Sequence, residues 1–268
     1  MTHPHIAAVE DNLLAFFAAA DRIPLLRRDP VDDVDALHSD IAFPMFNAAT
    51  NARFGEAVAS RTNEVVDTFV AAGLPWMWWL TPSTTSPELE ATLEARGLLR
   101  EDVPGMYADL SAPLSTRPVE GLVIERTSDV ESVVAGMIAG FEMPAFVQAP
   151  MTELMAAFPE AINVIGSLDG RPVATGTAYL TGPTAGLYNI STVQTARGRG
   201  IGYAVTLRLL ELARAAGAEH AVLHATEAGR PVYERAGFVE VCQVPQYVWI
   251  PQQVARSVPT EAPGTGLV

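Results

Sequence analysis

The chain has 268 residues, enough for one large domain or two small ones with real hydrophobic cores. Its formal net charge is −14 at pH 7, and all 17 of its Lys and Arg positions are arginine. Because duplex binding needs a basic face, this charge argues against a nucleic-acid partner and favours cationic ones. The single cysteine, Cys242, excludes an internal disulfide and a cysteine-based metal cluster.

The chain shows no feature of a membrane or exported protein. No apolar run is long enough to span a bilayer, and the N-terminus lacks a basic region followed by an apolar one. We therefore expect a cytoplasmic protein without a membrane partner.

The first half contains a strand, a helix and a second strand in succession. The apolar run at 73–80, with three tryptophans, predicts a buried strand preceded by a helix that ends near Ala72. Ser86 followed by Pro87 predicts a helix start, and the apolar run at 105–110 predicts the next strand.

The second half reads as a complete unit of alternating strands and helices. The Asp-Gly pair at 169–170 is typical of a tight hairpin turn. The predicted elements are a strand at 121–127, a helix from Ser128 to about Gly140, a bent loop-helix segment at 142–159, hairpin strands at 162–168 and 173–180, a strand at 186–193, a helix from 201 to Gly217, a strand at 220–225, a short helix at 228–236, and one or two strands at 238–250.

Two segments lack hydrophobic periodicity. Residues 111–118, with two prolines and small polar residues, predict a linker, and residues 251–268, rich in Pro, Thr, Ser and Gly, predict a disordered tail. The expected domains are therefore 1–117 and 118–250.

The segment Arg197-Gly198-Arg199-Gly200-Ile201-Gly202 lies between a predicted strand and a predicted helix, where backbone N–H groups can face an anion. A P-loop is excluded because the chain has no lysine, and a dinucleotide fingerprint would need glycine where Tyr203 stands. The remaining pattern, R-x-x-G-x-G, resembles the pyrophosphate loop of the GNAT superfamily of N-acetyltransferases. Residues 223–238, ending Tyr233-Glu-Arg-Ala-Gly-Phe238, resemble the strand, short helix and Y-E-x-x-G-F ending of the same family.

The resemblance implies an α/β fold with a mixed sheet and an enzyme that transfers an acetyl group to a primary amine of a small molecule or peptide. It implies acetyl-CoA, or another short acyl-CoA, as the cofactor, and a monomer or homodimer. A thiol or hydroxyl acceptor is an alternative within the enzyme class. A non-catalytic acyl-CoA-binding or interaction protein with the same fold is the alternative outside it.

Residues 1–117 show a weaker, second similarity to the family. The strand, helix and E-x-x-G turn at 73–98 parallel those at 217–238, which indicates two GNAT-like domains in tandem. The first copy has no R-x-x-G-x-G around 47–63, and Leu93 stands where the alignment places Tyr233. We therefore interpret it as a degenerate copy without a cofactor loop; an unrelated cap domain is the alternative.

The resemblance also assigns the site residues. Tyr233 would protonate the departing thiolate; its alternative role is packing its helix against the sheet. A backbone N–H of the strand before the glycine loop, within 189–193, would stabilise the oxyanion. The cofactor-binding residues implied are Ile190, Ser191, Thr192, Val193, Arg197, Gly198, Arg199, Gly200, Ile201, Gly202, Tyr203 and Thr226.

The proton acceptor for the amine is assigned to acidic residues. Glu142 lies in the segment where relatives bind substrate, so its carboxylate would attract the amine cation or accept its proton through water. Glu227 precedes the helix of Tyr233 and is the second candidate, although it also suits an ordinary helix start. A solvated surface position is the alternative for Glu142, and no metal ligand set is expected.

Overall fold

The computed structural model describes residues 3–115 and 117–251. The tail predicted at 251–268 therefore lies, apart from Pro251, outside the described residues. The helices, in chain order, are α1 Pro4–Ala18, α2 Val58–Ala72, α3 Pro87–Ala95, α4 Val130–Phe141, α5 Gln148–Ala156, α6 Ile201–Ala215 and α7 Arg230–Arg235. The strands are β1 Arg27–Arg28, β2 Asp35–His38, β3 Ala48–Thr50, β4 Trp76–Trp79, β5 Leu99–Asp109, β6 Leu122–Thr127, β7 Ile162–Leu168, β8 Arg171–Thr181, β9 Thr184–Thr192, β10 His220–His224 and β11 Val239–Trp249.

The chain forms a mixed α/β fold and divides into two compact units. Of the described residues, the first comprises Leu14–Val103 and 242–251, and the second comprises His3–Leu13 and Pro104–Val241. The start of α1 therefore belongs to the second unit, and most of β11 to the first. The sequence-based boundary at 117/118 stays a prediction, because it concerns the ancestry of the segments rather than their compactness.

In the first unit the strands run in the order β1-β2-β3-β4-β11, and only β3 and β4 are parallel. Trp76 and Trp78 are fully buried in its core, and the Trp76 ring stacks on Phe69 with the centroids 4.4 Å apart. The tryptophan run is thus core, as its apolar pattern predicts. Ser86 caps α3, since its hydroxyl accepts from the Leu89 N–H at 3.2 Å.

In the second unit the order is β5-β10-β9-β8-β7-β6, with β5 counted from Pro104. Only the β10/β9 pair is parallel. Glycines let two helices approach opposite faces of this sheet. A Cβ at Gly136 of α4 would lie 2.6 Å from Thr175, and a Cβ at Gly176 would lie 2.9 Å from Val205 of α6. Because neighbouring residues of a strand point to opposite faces, α4 and α6 sandwich the sheet.

Two local signals in this unit can be compared with the sequence predictions. Asp169 and Gly170 have φ of 50° and 77°, which makes the tight turn of the β7/β8 hairpin and confirms that prediction. The predicted cap of α4, Ser128, is wrong by one residue. Asp129 is the cap, because its carboxylate accepts from the Ser132 N–H at 3.1 Å, and a carboxylate also suits the positive end of the helix.

Two further observations concern membranes and the cysteine. No helix in the described part of the chain is long and apolar enough to cross a membrane. Cys242 is half-buried, since the first residues of β11 are partly exposed.

Candidate active site

The site forms where two parallel strands of the second unit separate. β9 and β10 pair at three positions, ending with Val222 opposite Gly186. β9 continues to Thr192 and β10 to His224, but no further pair joins them. Because a strand edge without a partner strand presents N–H and C=O groups to a ligand, the rest of β9 is a docking edge.

A β-bulge bends β9 at this point. Asn189 and Ile190 lie opposite a single residue of β8, Gly176, and Asn189 has φ of 55°. The Thr175 hydroxyl donates to the Asn189 carbonyl at 3.2 Å and holds the bulge. Since a bulge bends its strand and increases the local twist, it accounts for the divergence of β9 from β10.

The glycine loop follows the open strand and begins α6. Gly198 and Gly200 have φ of 75° and 81°, a left-handed conformation that side chains disfavour. The first helical bond runs from the Ala204 N–H to the Gly200 carbonyl at 3.1 Å. The N–H groups of residues 201–203 precede it and have no carbonyl partner within the helix. They and the helix dipole make an anion site.

The two arginines of the loop occupy different environments. The Arg197 guanidinium donates to the Thr192 carbonyl at 3.0 Å and to the Gly140 carbonyl at 2.6 Å. It therefore braces the end of β9 against the end of α4. Arg199 is exposed at the loop tip, so its charge can reach an anion without breaking an internal bond.

Three predicted cofactor residues use their side chains internally. The Tyr203 hydroxyl donates to the Ser115 carbonyl at 2.8 Å. The Ser191 and Thr175 hydroxyls are 3.0 Å apart, and the Thr226 hydroxyl accepts from the Gly229 N–H at 3.0 Å. Tyr203 and Ser191 therefore present backbone rather than side-chain groups to a ligand.

Tyr233 lies on α7 with 9% of its surface exposed, and burial raises the pKa of its phenol to about 12. Its ring packs edge-on against Phe238, with centroids 6.1 Å apart. Gly229 makes room for the ring, since a Cβ there would lie 2.9 Å from its Cε2 atom. The hydroxyl therefore keeps its proton at neutral pH.

The predicted acidic residues lie at the surface. Glu142 is exposed and ends α4 with φ of 56°, two residues beyond the carbonyl that Arg197 binds. Glu227 is exposed in the turn before α7. Within residues 3–115 and 117–251, neither carboxylate is hydrogen-bonded to Tyr233.

One further titratable group stands at the opening. His224 is the last residue of β10 and is 4% exposed. Burial lowers its pKa to about 4, so the imidazole is neutral at physiological pH.

The sequence pattern did not identify the polar cluster at the start of the open strand. Asn12 accepts a hydrogen bond from the Tyr188 hydroxyl, although the two residues are separated by 176 positions. No local periodicity or motif signals such a contact.

The site can be compared with known proteins. The acetyltransferase (GNAT) family model matches residues 123–238, which include the open strand, the glycine loop and Tyr233. No curated protein matches the sequence at a significant level.

Solved structures share the fold. A GCN5-related N-acetyltransferase from Kribbella flavida superposes with a TM-score of 0.72 at 16% identity, over 96% of this chain and 99% of that one. Another from Sphaerobacter thermophilus gives a TM-score of 0.60 at 14% identity, over 82% of each chain. A fungal multi-domain β-N-acetylglucosaminidase with a GCN5-related glucosamine N-acetyltransferase region gives 0.58 at 12% identity, over 90% of this chain and 37% of that one. Residues 123–238 thus match the acetyltransferase (GNAT) family, which supports an acyltransferase, and the solved structures share its fold.

Proposed function

We propose that the second unit transfers the acetyl group of acetyl-CoA, or the acyl group of another short acyl-CoA, to a primary amine of a small molecule or peptide. The observation that carries this proposal is the open edge of β9, which begins after Gly186 and leads directly into the glycine loop. A ligand with an anionic end and an amide-containing arm fits both parts at once.

The residues present fit such a cofactor. Its pyrophosphate would lie at the N–H groups of residues 201–203, with Gly198 and Gly200 leaving the approach open and Arg199 adding positive charge. The amides of its pantetheine arm would pair with the backbone of Ile190–Val193, as a strand pairs with an edge. When bound, the cofactor supplies an activated thioester carbon.

Groups of the chain then stabilise the negative charge that develops on the carbonyl oxygen and on the sulfur. An N–H of the open strand, within 189–193, stabilises the negative charge that the carbonyl oxygen gains during attack. Tyr233 donates a hydrogen bond to the sulfur as the carbon–sulfur bond breaks. The proton that the amine releases as the carbon–nitrogen bond forms passes through solvent to the departing thiolate, so the overall step balances.

The burial of Tyr233 determines whether it acts by transferring its proton or by donating a hydrogen bond. An ordinary thiol has a pKa of about 8.5, whereas burial raises that of Tyr233 to about 12. Tyr233 is the weaker acid of the two, and it therefore acts by a hydrogen bond that strengthens as charge develops on sulfur. Because it is protonated throughout the physiological range, the donor is always present.

Glu142 and Glu227 are the proposed groups that receive the amine proton or attract the amine cation. Since both are exposed, they face solvent and act on the amine through electrostatic attraction. Thr226 supports this end of the site by holding the turn before α7.

We assign residues 1–117 to a degenerate copy of the same fold. The order β4, α3, β5 at 76–109 parallels β10, α7, β11 at 220–249. Equivalent left-handed glycines support the parallel: Gly73 and Gly217 have φ of 69° and 99°, and Gly97 and Gly237 have φ of 81° and 98°. We place the protein in the cytoplasm and expect it to act as a monomer or homodimer.

The direct test is amine-dependent thiol release. Acetyl-CoA is incubated with the chain and with spermidine, glucosamine, L-lysine or an alanyl peptide, and the released thiol is measured against a reaction without amine. We expect at least one amine to raise thiol release and to appear as its acetylated product by mass spectrometry. Tight acetyl-CoA binding without release for any of these amines would contradict the proposal and favour the non-catalytic alternative.

A further inference from the structure

A buried amide from the N-terminal helix contacts the strand that opens. Asn12 of α1 is fully buried and belongs to the same compact unit as β8 and β9. Its Nδ2 donates to the Thr181 hydroxyl at 2.9 Å and to the Tyr179 carbonyl at 3.2 Å, and its Oδ1 accepts from the Tyr188 hydroxyl. All of its hydrogen-bonding groups are thus engaged.

These contacts fix the direction of the Tyr188 hydroxyl. The Tyr179 carbonyl can only accept, so the nitrogen of Asn12 must point toward it and the oxygen toward Tyr188. The Tyr188 hydroxyl must therefore donate to Asn12. Its own oxygen is left to accept a hydrogen bond from a ligand.

The cluster stands at the point where the strands separate. Gly186 forms the last β9/β10 pair, and a Cβ there would lie 1.8 Å from the Asn12 Oδ1 atom. Tyr188 follows two residues later, directly before the bulge at Asn189. The absence of a side chain at Gly186 is what lets Asn12 reach this point.

Tyr188 faces the side of the sheet that α4 and α5 cover. It lies opposite Thr177, two residues from Thr175, which contacts α4. Asn189 contacts Met155 of α5 at 3.8 Å. The glycine loop begins α6, which packs on the other face, so a cofactor arm that crosses the gap between β9 and β10 would deliver its thioester toward Tyr188.

We propose that the Tyr188 hydroxyl oxygen accepts a hydrogen bond from the N–H of the attacking amine, and that Asn12 is the positioning residue that turns the hydroxyl to do so. This inference rests on the proposed function. Desolvation raises the pKa of Tyr188, so the phenol stays neutral. It orients the amine without removing its proton.

The test compares the amine KM of single and double variants, with the same four amines and acetyl-CoA as probes. Tyr188→Phe keeps the ring but removes the accepting oxygen, and should raise the amine KM by about three- to tenfold, the range for one hydrogen bond. The KM for acetyl-CoA should not change. Tyr247→Phe, which removes a hydroxyl bound to Glu94 and Arg100 in the first unit, is the matched control.

Asn12→Leu tests the positioning role. It should raise the amine KM by a similar factor, and it should add no further increase in the Tyr188→Phe background, because both changes remove the same interaction. A purely structural role would instead lower the melting temperature and raise both KM values together.

The outcomes separate this inference from the proposed function. If the wild type acetylates amines but Tyr188→Phe keeps the amine KM, the inference is overturned and the proposed function stands. If Asn12→Leu and Tyr188→Phe add independently, Asn12 does not act through Tyr188. If the wild type acetylates none of the amines, the proposed function fails and the inference fails with it.

Discussion

At the scale of single residues, burial determines how the tyrosines of the second unit can act. Tyr233 is enclosed by its own helix, Gly229 and Phe238, and desolvation keeps its proton in place. The Y-E-x-x-G-F pattern predicts a donor role for Tyr233. The pattern does not predict its pKa, because desolvation depends on tertiary packing.

Tyr233→Phe should lower kcat by about a hundred- to a thousandfold, the range for one lost hydrogen-bond donor to a developing negative charge, and leave acetyl-CoA affinity unchanged. Because burial raises the Tyr233 pKa to about 12, the donor form persists below that pH. With the alanyl peptide, whose α-amino group ordinarily has a pKa of about 8, the wild-type kcat should therefore rise as the amine loses its proton and then stay level through about pH 10, the ordinary tyrosine pKa. A fall in kcat centred near that pH, absent from the Phe variant, would contradict this environment for Tyr233.

Gly229→Ala should reduce kcat by roughly ten- to a hundredfold, since displacement of a catalytic group by about 1 Å can cost that much. The added Cβ would lie 2.9 Å from the Tyr233 ring and 3.0 Å from the Thr226 hydroxyl, so the ring must move. Steady-state kinetics on Gly229→Ala and on the exposed neighbour Ala228→Ser measure the effect. Equal kcat values for the two variants would show that Gly229 does not position the ring.

Arg197 shows the limit of residue-level prediction. The sequence places it beside two glycines and favours phosphate binding, but its guanidinium contacts the carbonyls of Thr192 and Gly140. Gly140 is 57 positions away, and no local pattern reveals a partner at that separation. Its role in cofactor binding stays a prediction. The structure shows that its guanidinium links the end of β9 to the Gly140 carbonyl of α4.

At the scale of elements, close contacts between helices and the sheet hold the open strand in place. The Gly140 carbonyl accepts from Arg197, and the Gly140 Cα faces Ser191 of β9. Gly140 therefore lets α4 pack closely on β9, and its carbonyl also accepts the hydrogen bond from Arg197 of the glycine loop.

Gly140→Ala should lower the free energy of unfolding by about 1–3 kcal/mol, the usual cost of overpacking. A Cβ there would lie 2.4 Å from the Ser191 hydroxyl oxygen and 2.6 Å from its Cβ. Without the close contact, replacing glycine by alanine in a helix would raise the free energy of unfolding by about 1 kcal/mol. A decrease in that free energy would therefore show that the added Cβ overpacks the contact with Ser191. Urea unfolding of this variant and of exposed Ala139→Ser measures it; a more stable Gly140→Ala would contradict the close approach.

Local signals predicted some elements and missed others. The Asp169-Gly170 turn, the helix ends at Gly73 and Gly217, and the strand before the glycine loop are confirmed because short-range backbone preferences set them. β5 starts at Leu99 rather than near 105, since charged residues in its first part conceal the strand pattern. The bulge at Asn189 could not be predicted, because it depends on pairing with β8.

At the scale of the whole molecule, the net charge of −14 bears on the acceptor. Two of the few cations near the site, Arg197 and Arg199, lie in the glycine loop, where cofactor phosphates would neutralise them. An acceptor that carries positive charge before it reacts is therefore favoured.

The KM of a cationic amine such as spermidine should rise with ionic strength, because salt screens its attraction to the chain. Glu142→Gln should raise this KM by about two- to fivefold at low salt, within the range of one weakly screened charge pair. Glu153→Gln, an exposed acid on α5, is the control. A KM that ignores both salt and Glu142→Gln would contradict the electrostatic argument and leave the acyltransferase assignment intact.

The central claim is that one cofactor site, in the second unit, is built by the open strand and the glycine loop. Calorimetric titration of acetyl-CoA tests it directly. We expect one site per chain. Gly200→Val should abolish it, because a φ of 81° disfavours a branched side chain and because that side chain would block the phosphates from the loop backbone. Binding should survive in Gly55→Val, since Gly55 of the first unit has open space around its Cα and no left-handed φ. The structure leaves almost as much space at Gly200, where Val119 lies 3.8 Å from an added Cβ, so the loss in Gly200→Val is expected from the left-handed φ and from the blocked approach of the phosphates. Two sites per chain, or unchanged affinity in Gly200→Val, would contradict the account.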